Sequence, residues 1–179
     1  MVTYPQAGLT AHASRVTLEA RASAGPIGSP LSARIADLNF IKTKGMTMFH
    51  LGKRSKKRLE GVHPDLVSVV ELAIKMTMID FTVLEGERTH ARQLELFAAG
   101  ATSTMNSRHI VRDNGFAHAV DLGAWVVGEV RWDWPLYHQI ANAMKLAAVE
   151  LDIKIEWGGD WRSFKDGPHF QLPWAEYPA

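Results

Sequence analysis

Cysteine is absent from the 179-residue chain. That excludes disulfides, thiolate metal sites and a cysteine nucleophile. Any metal ion is left to His, Asp and Glu, and eight histidines make such a site feasible. Also missing is an apolar run of about 18 residues, the length a membrane-spanning helix needs, so no membrane insertion is expected. The opening stretch, MVTYPQAGLTAHASRVTLEARASAG, has no basic start followed by a continuous apolar segment, so no secretory signal is expected either. Nor does one sign of charge dominate: Lys plus Arg is 20, Asp plus Glu is 19, and the formal net charge is +1. That balance argues against a dedicated nucleic-acid binder. What remains, 46% hydrophobic and 22% charged residues, is the profile of a soluble globular protein. The length suits one domain with a real core.

Residues 1–45 differ from the rest. They are rich in Ala, Ser, Gly and Pro, with SAGPIGSP at 23–30 and no sustained period. They read as a poorly ordered extension. Two alternatives are a start of translation at Met46 or Met48, and a short extra helix at 31–39. The domain proper is expected over 46–179. KRSKKR (53–58) reads as a solvated helix face in preference to an anion-binding patch. HPDLVSVVELAIKM (63–76) predicts a helix with Pro64 at its start and Asp65 in its first turn. Leu66, Val70, Ala73, Ile74 and Met78 form its core-facing stripe. DFTVLEG (80–86) predicts a strand. THARQLELFAAG (89–100) predicts a helix capped by Thr89 and closed at Gly100.

Residues 101–115 read as a loop, and AHAVDLGAW as a strand. DWPLYHQIANAMKLAAVELD (133–152) is the strongest helix, with Asp133 as cap and Leu136, Ile140, Met144, Ala147 and Leu151 on one face. IKIEW (153–157) and PHFQL (168–172) are short strands. The order of elements predicts an α+β domain, with helices against a small, mainly antiparallel sheet.

The stretch SRHIVRDNGFAHAVDLGAW (107–125) sets two imidazoles and two carboxylates around a glycine. An exposed loop, an acid/base pair and half of a metal site all fit it. Strand parity separates the candidates, because successive side chains point to opposite faces. His118 and Val120 share one face and Asp121 the other, so His118 and Asp121 are not expected on one ion. His109, on the preceding loop, can fold back towards Asp121. Near the C-terminus His169 and Gln171 share a face, while Phe170 and Leu172 point to the core. Asp166 precedes His169 across Gly167-Pro168. His109, Asp121 and His169 can thus meet, with Asp166 beside them. Two imidazoles, one carboxylate and a vacant position form the pattern of a catalytic zinc site, and the spare carboxylate suits a general base. The competing reading is that these are scattered surface groups.

Ser-x-His at 107–109, Ala-Val-Asp at 119–121 and Asp-x-x-His at 166–169, in that order, resemble the VanY-type peptidases, specifically the L-alanyl-D-glutamate peptidases used as phage endolysins. The resemblance covers about residues 48–174. It implies the zinc-peptidase fold shared with D-alanyl-D-alanine carboxypeptidases and the hedgehog signalling domain. It implies zinc ligands His109, Asp121 and His169, and a catalytic acid/base at Asp166. By the same resemblance Arg88 and Gln93 are substrate contacts, and Ser107 matches a serine that helps bind a substrate carboxylate. The implied substrate is the peptide stem of bacterial peptidoglycan, cut between L-Ala and D-Glu. The implied protein is a monomeric lysin of the host cytoplasm that reaches the wall after a holin opens the membrane. A D-Ala–D-Ala carboxypeptidase and a non-catalytic zinc-binding module are the alternatives.

The chain departs from the family's shorter pattern at positions 110–120, where VRDNG lengthens the loop between the first His and the Asp. If that loop does not fold back, His118 replaces His109. Of the tryptophans, Trp157 and Trp161 suit either a groove wall or core packing. Asp113 and Asp160 are read as solvated or turn-capping groups.

Overall fold

A computed structural model describes residues 48–178. The expected extension at 1–45 lies outside them. Helix α1 (Lys53–Arg58) is the basic run, and its charged side chains face solvent or its rim while Ser55 is buried. Helix α2 (Pro64–Met76) begins as expected, and the His63 imidazole caps it by accepting the Asp65 N–H at 3.2 Å. Leu66, Val70, Ala73 and Ile74 are buried, joined by Val69. Met78 is not: it is 66% exposed. The helix has already ended, because the Thr77 hydroxyl bonds to both Ile79 O and Ile79 N–H and holds the chain extended.

Helix α3 (His90–Ala98) follows strand β1 (Phe81–Glu85). Thr89 Oγ1 accepts the Arg92 N–H at 3.2 Å as its cap, and the chain leaves through Gly100 at φ +70. Helix α4 (Trp134–Glu150) buries Ile140, Met144 and Ala147 as expected, with Tyr137, Ala141, Ala143 and Ala148. Leu151 falls beyond its last turn and is exposed. Asp133 occupies the N-cap position without capping, because its carboxylate is turned to Arg131 Nε at 3.1 Å.

The sheet is antiparallel throughout, with order β1-β2-β5-β4, and β3 also pairs with β2. Its strands after β1 are β2 (Ala119–Val126), β3 (Glu129–Arg131), β4 (Glu156–Trp157) and β5 (His169–Gln171). Strand β3 was not anticipated. Val127 at φ 51 and Gly128 at φ 87 form the tight turn that returns the chain along β2. Only the last two residues of IKIEW pair. On one sheet face Phe81, Val83, Val120, Leu122, Ala124 and Phe170 pack against the joined apolar faces of α2 and α4. The architecture is α+β, with two helices on one side of a small antiparallel sheet.

Strand β1 is an edge, and its outward backbone groups are not left bare. Ser55 Oγ accepts the Val83 N–H at 3.1 Å, and Arg58 Nη1 donates to Val83 O at 2.7 Å. Helix α1 therefore closes this edge against pairing with another chain. Two residues of one expected face now separate cleanly by burial. Ile140→Ala should cost about 2–5 kcal/mol of unfolding free energy, whereas Leu151→Ala should stay within about 0.5 kcal/mol, as read from urea denaturation.

Candidate metal and catalytic site

The face of the sheet away from the helices carries the candidate residues. Asp121 on β2 lies opposite Glu85 of β1 on one side and opposite His169 of β5 on the other. Directly opposed residues share a face, so three polar side chains stand in a row across three strands. A register shift between Val83 and Glu85 makes this possible. Without the extra residue of this bulge, Leu84 would face Asp121.

His109 arrives from the loop before β2. Arg88 N–H donates to His109 O at 2.8 Å, and His118 N–H donates to Arg108 O at 2.7 Å, which folds the loop back. The lengthened stretch turns on itself through Gly115 N–H to Arg112 O at 2.8 Å and Arg112 N–H to Phe116 O at 2.9 Å. It projects outward and does not separate His109 from Asp121. Asp121 Oδ1 lies 3.3 Å from His109 Nε2 and 3.1 Å from His169 Nδ1, and those two nitrogens are 3.3 Å apart.

The outward hydrogen bonds fix the tautomer of each neutral imidazole. Gly86 O can only accept, so His109 Nδ1, 2.7 Å away, carries the proton. Gln171 Oε1 accepts from His169 Nε2 at 3.0 Å, while the amide's Nε2 donates to Glu156 Oε2 at 2.7 Å and so fixes which way the amide points. In their neutral form both rings present inward lone pairs beside a carboxylate oxygen, an arrangement that suits a cation. Four ligands placed tetrahedrally about 2.0–2.1 Å from zinc stand about 3.3 Å apart, which is the spacing of these three atoms. The group can hold a metal ion.

Charge around the group is ordered. Burial pushes the Asp121 carboxyl up, but hydrogen bonds and positive charge at His109 and His169, a place a bound cation would also fill, outweigh it and hold it well below the usual carboxylate range. Asp166 lines the same cleft, of about 360 Å³, with His109, Asp121 and His169. Burial, reinforced by repulsion from Asp121, pushes its carboxyl up. The backbone there is close-fitting: a Cβ on Gly158 would lie 2.5 Å from Asp166 O and 3.2 Å from His169 Cβ. A larger hollow of about 500 Å³ beside α1 contains none of these residues.

Arg88 lines the cleft 3.8 Å from Asp121 Oδ2, and its guanidinium is gripped by both carboxylate oxygens of Glu85. Gln93, expected as a substrate contact, is fully buried and does not line the cleft. It accepts from Arg88 Nη1 at 2.8 Å and donates to Thr104 O at 2.6 Å, so it fastens Arg88 to the 101–106 loop. Ser107 borders the cleft, and its Oγ accepts the His109 N–H at 3.3 Å. His118 points away from the site, as strand parity requires, towards Asn114, His63 and Tyr177. Trp157 is core and Trp161 is cleft, with its ring 5.2 Å from that of His169. Asp160 pairs with Lys145 at 2.6 Å on the surface.

Glu85, Gln171 and Glu156 were not singled out from the sequence. The only signal for Gln171 was its shared face with His169. Glu85 had none, because the bulge that presents it is not written in residue types.

His118 gives a pH-dependent stability. Burial, then the charges of Arg108, His63 and Arg112, push its imidazole down from 6.5 to about 4, with a backbone hydrogen bond at Tyr177 opposing. The folded protein binds this proton less readily than the unfolded chain. The stabilising effect is complete above about pH 6.5 and is lost as pH falls towards 4, amounting to about 3 kcal/mol. Urea unfolding between pH 7 and 4 should show this slope, and His118→Gln should flatten it.

Comparison with known proteins identifies relatives of this chain. The profile of the phage L-alanyl-D-glutamate peptidase family matches residues 46–172. The L-alanyl-D-glutamate peptidase of Escherichia phage T5 is 32% identical over 122 residues, 66% of this chain and 85% of that protein. The peptidoglycan L-alanyl-D-glutamate endopeptidase CwlK of Bacillus subtilis is 32% identical over 102 residues, 52% of this chain and 61% of that protein. The crystal structure of the Serratia marcescens L-Ala D-Glu endopeptidase ChiX superposes with a TM-score of 0.68 at 46% identity, covering 76% of this chain and 98% of that one. With a matched profile spanning the described fold and the whole candidate site, the chain belongs to the phage L-alanyl-D-glutamate peptidase family.

Proposed function

We propose that this protein is a zinc-dependent peptidase that hydrolyses the L-Ala–D-Glu bond in the stem peptide of bacterial peptidoglycan, acting as a monomeric endolysin. The observation that carries the reading is the meeting of three potential ligand atoms, from His109, Asp121 and His169, in a cleft that also holds an unpaired carboxylate. A zinc ion bound by these residues would supply Lewis acidity, which polarises an amide carbonyl and lowers the pKa of water from 15.7 towards about 7.

The chain's own groups do the rest. Asp166 takes the proton of the attacking water and passes it to the nitrogen of the departing D-Glu, so that one amide and one water become a carboxylate and an amine. Burial and the neighbouring Asp121 raise its pKa in the metal-free protein, the direction that suits a proton acceptor. Arg88, already oriented by Glu85 and Gln93, has N–H groups left for the charge growing on the carbonyl oxygen. Ser107 has its hydroxyl proton free to donate to the substrate, since its oxygen is the acceptor for His109 N–H. Gln171 and Glu156 hold the His169 ring and strengthen it as a ligand.

No helix among the described residues is long and apolar enough to cross a membrane. The reading has the enzyme gather in the host cytoplasm and reach the wall through a holin lesion. It also takes residues 46–179 as the peptidase domain and residues 1–45 as dispensable for hydrolysis, a division supported by the start of the family match at residue 46.

Digestion of purified muropeptides followed by mass spectrometry tests the bond. New D-Glu amino termini are expected, and release of free D-Ala with intact L-Ala–D-Glu would instead indicate a carboxypeptidase. Chelation should abolish cleavage and added zinc should restore it. Asp166→Ala should keep about one zinc per chain while kcat falls about 10²- to 10⁴-fold; unchanged hydrolysis would remove Asp166 from the mechanism. Gln171→Leu should weaken zinc binding by about 10- to 100-fold in a competition assay with a chromophoric chelator.

A further inference from the structure

Two arginines beside the cleft lack the partners their charge requires. Arg108 is only 3% exposed. Its Nη2 donates to Leu172 O at 2.7 Å, with Pro173 O at 3.5 Å, but its Nε and Nη1 have no hydrogen-bond partner. Arg112 donates through Nη1 to Asn106 Oδ1 at 3.0 Å and through Nη2 to Ser107 O, and its Nε is also buried and unpartnered. Among the described residues neither guanidinium has a carboxylate within ion-pair distance. Both lie over the Trp174 indole, 4.1 and 4.7 Å from its centroid. The ring face offsets part of the charge, yet three guanidinium nitrogens, carrying four N–H bonds between them, are left without a hydrogen-bond partner. Burial, then the charge of the neighbouring Arg112, lower Arg108 to about 10 against the opposing pull of Glu156.

Unpaired buried charge is costly, on the order of several kcal/mol per ion, and each orphaned donor adds about 1–3 kcal/mol. Such a cluster is explained most simply by an anion that arrives with the substrate. Position favours this. Arg108 and Trp174 line the same cleft as His109, Asp121, Asp166 and His169, and Arg108 is the residue between Ser107 and His109. Arg88 is a poorer anchor for a carboxylate, because Glu85 already neutralises it and three of its N–H groups are engaged.

The chemistry of the substrate supplies such an anion. A glutamate residue acylated on nitrogen has two carboxyl groups, and only one continues the peptide. The other remains as a carboxylate within a few bonds of the scissile nitrogen.

Resting on the function proposed above, we infer that Arg108 and Arg112, covered by Trp174, form the subsite for the free carboxylate of the glutamate residue on the leaving side of the cleaved bond. The carboxylate takes the place of the indole over the guanidiniums, and the half-exposed Trp174 ring turns outward to admit it. The subsite makes the enzyme selective for stems whose glutamate keeps its acid over stems in which that acid is a primary amide.

Two synthetic stem peptides, identical except for acid or amide at this carboxyl, test the inference with the zinc-loaded wild-type enzyme. The acid should be cleaved with kcat/KM at least about tenfold higher, mainly through KM. Arg112→Gln, at a half-exposed position, should bring the acid-to-amide ratio towards one, and so should Arg108→Gln if it folds. Calorimetry with the metal-free protein gives a second readout: the product peptide beginning with D-Glu should bind about tenfold more tightly as acid than as amide. Equal cleavage and equal binding of the two peptides would overturn the subsite while leaving the peptidase reading intact, and would make the arginines structural. A ratio unchanged in Arg112→Gln would remove Arg112 from it. Cleavage of neither peptide would overturn the peptidase reading and the subsite together.

Discussion

The register of three neighbouring strands governs this molecule. Asp121 stands opposite Glu85 and His169 at once, and everything that meets in the cleft is arranged around that row. The side-chain period of a strand is two, so a slip of one residue in β5 would send His169 into the core and Phe170 into the cleft. Burial of Phe170, Leu172, Val120 and Leu122 opposes such a slip. The apolar face of the sheet therefore sets the polar one. On the other side of β2, the bulge before Glu85 gives up regular pairing and presents a carboxylate that orients Arg88.

The charges of the cleft follow from how each is compensated. The Asp121 carboxylate faces two imidazoles whose outward nitrogens are committed elsewhere, to the Gly86 carbonyl and the Gln171 amide, and positive charge at that junction keeps it ionised. Asp166 has no such partner and is pushed the other way by burial and by Asp121. Two carboxylates in one cleft thus acquire opposite tendencies, one to stay ionised and one to hold a proton more readily. The arginines divide in the same manner: Arg88 is neutralised by the fold, and Arg108 and Arg112 are not.

Much of the architecture was legible because it depends on local physics. The cap at Thr89, Pro64 at a helix start, the stripe Leu66-Val70-Ala73-Ile74 and the alternation around Asp121 each rest on contacts within a few residues. Parity alone was enough to send His118 away from the metal group. The misreadings are also physical. Met78 continued a helical stripe past the point where Thr77 ends the helix with its own hydroxyl. Strand β3 depended on a two-residue turn, Val127-Gly128, whose first member is a β-branched residue in an unusual left-handed conformation. Gln93 was expected at the substrate, but Arg88 and Thr104 O claim its amide from opposite sides and draw it inside.

By itself the sequence determined the chemistry available and the elements that carry it. Without cysteine, any group able to hold a metal ion has to come from imidazole and carboxylate, and Ser-x-His, Ala-Val-Asp and Asp-x-x-His fall on a loop, a strand and the approach to a second strand. Only the tertiary structure decided which nitrogen of each histidine faces inward, which arginine is paired with a carboxylate and which is not, and which glutamine holds His169 and which holds Arg88. Those outcomes depend on acceptors such as Gly86 O, Leu172 O and Glu156 Oε2, which approach from distant parts of the chain. A hydrogen bond is decided within a few tenths of an ångström, and residue spacing along the chain does not carry that information.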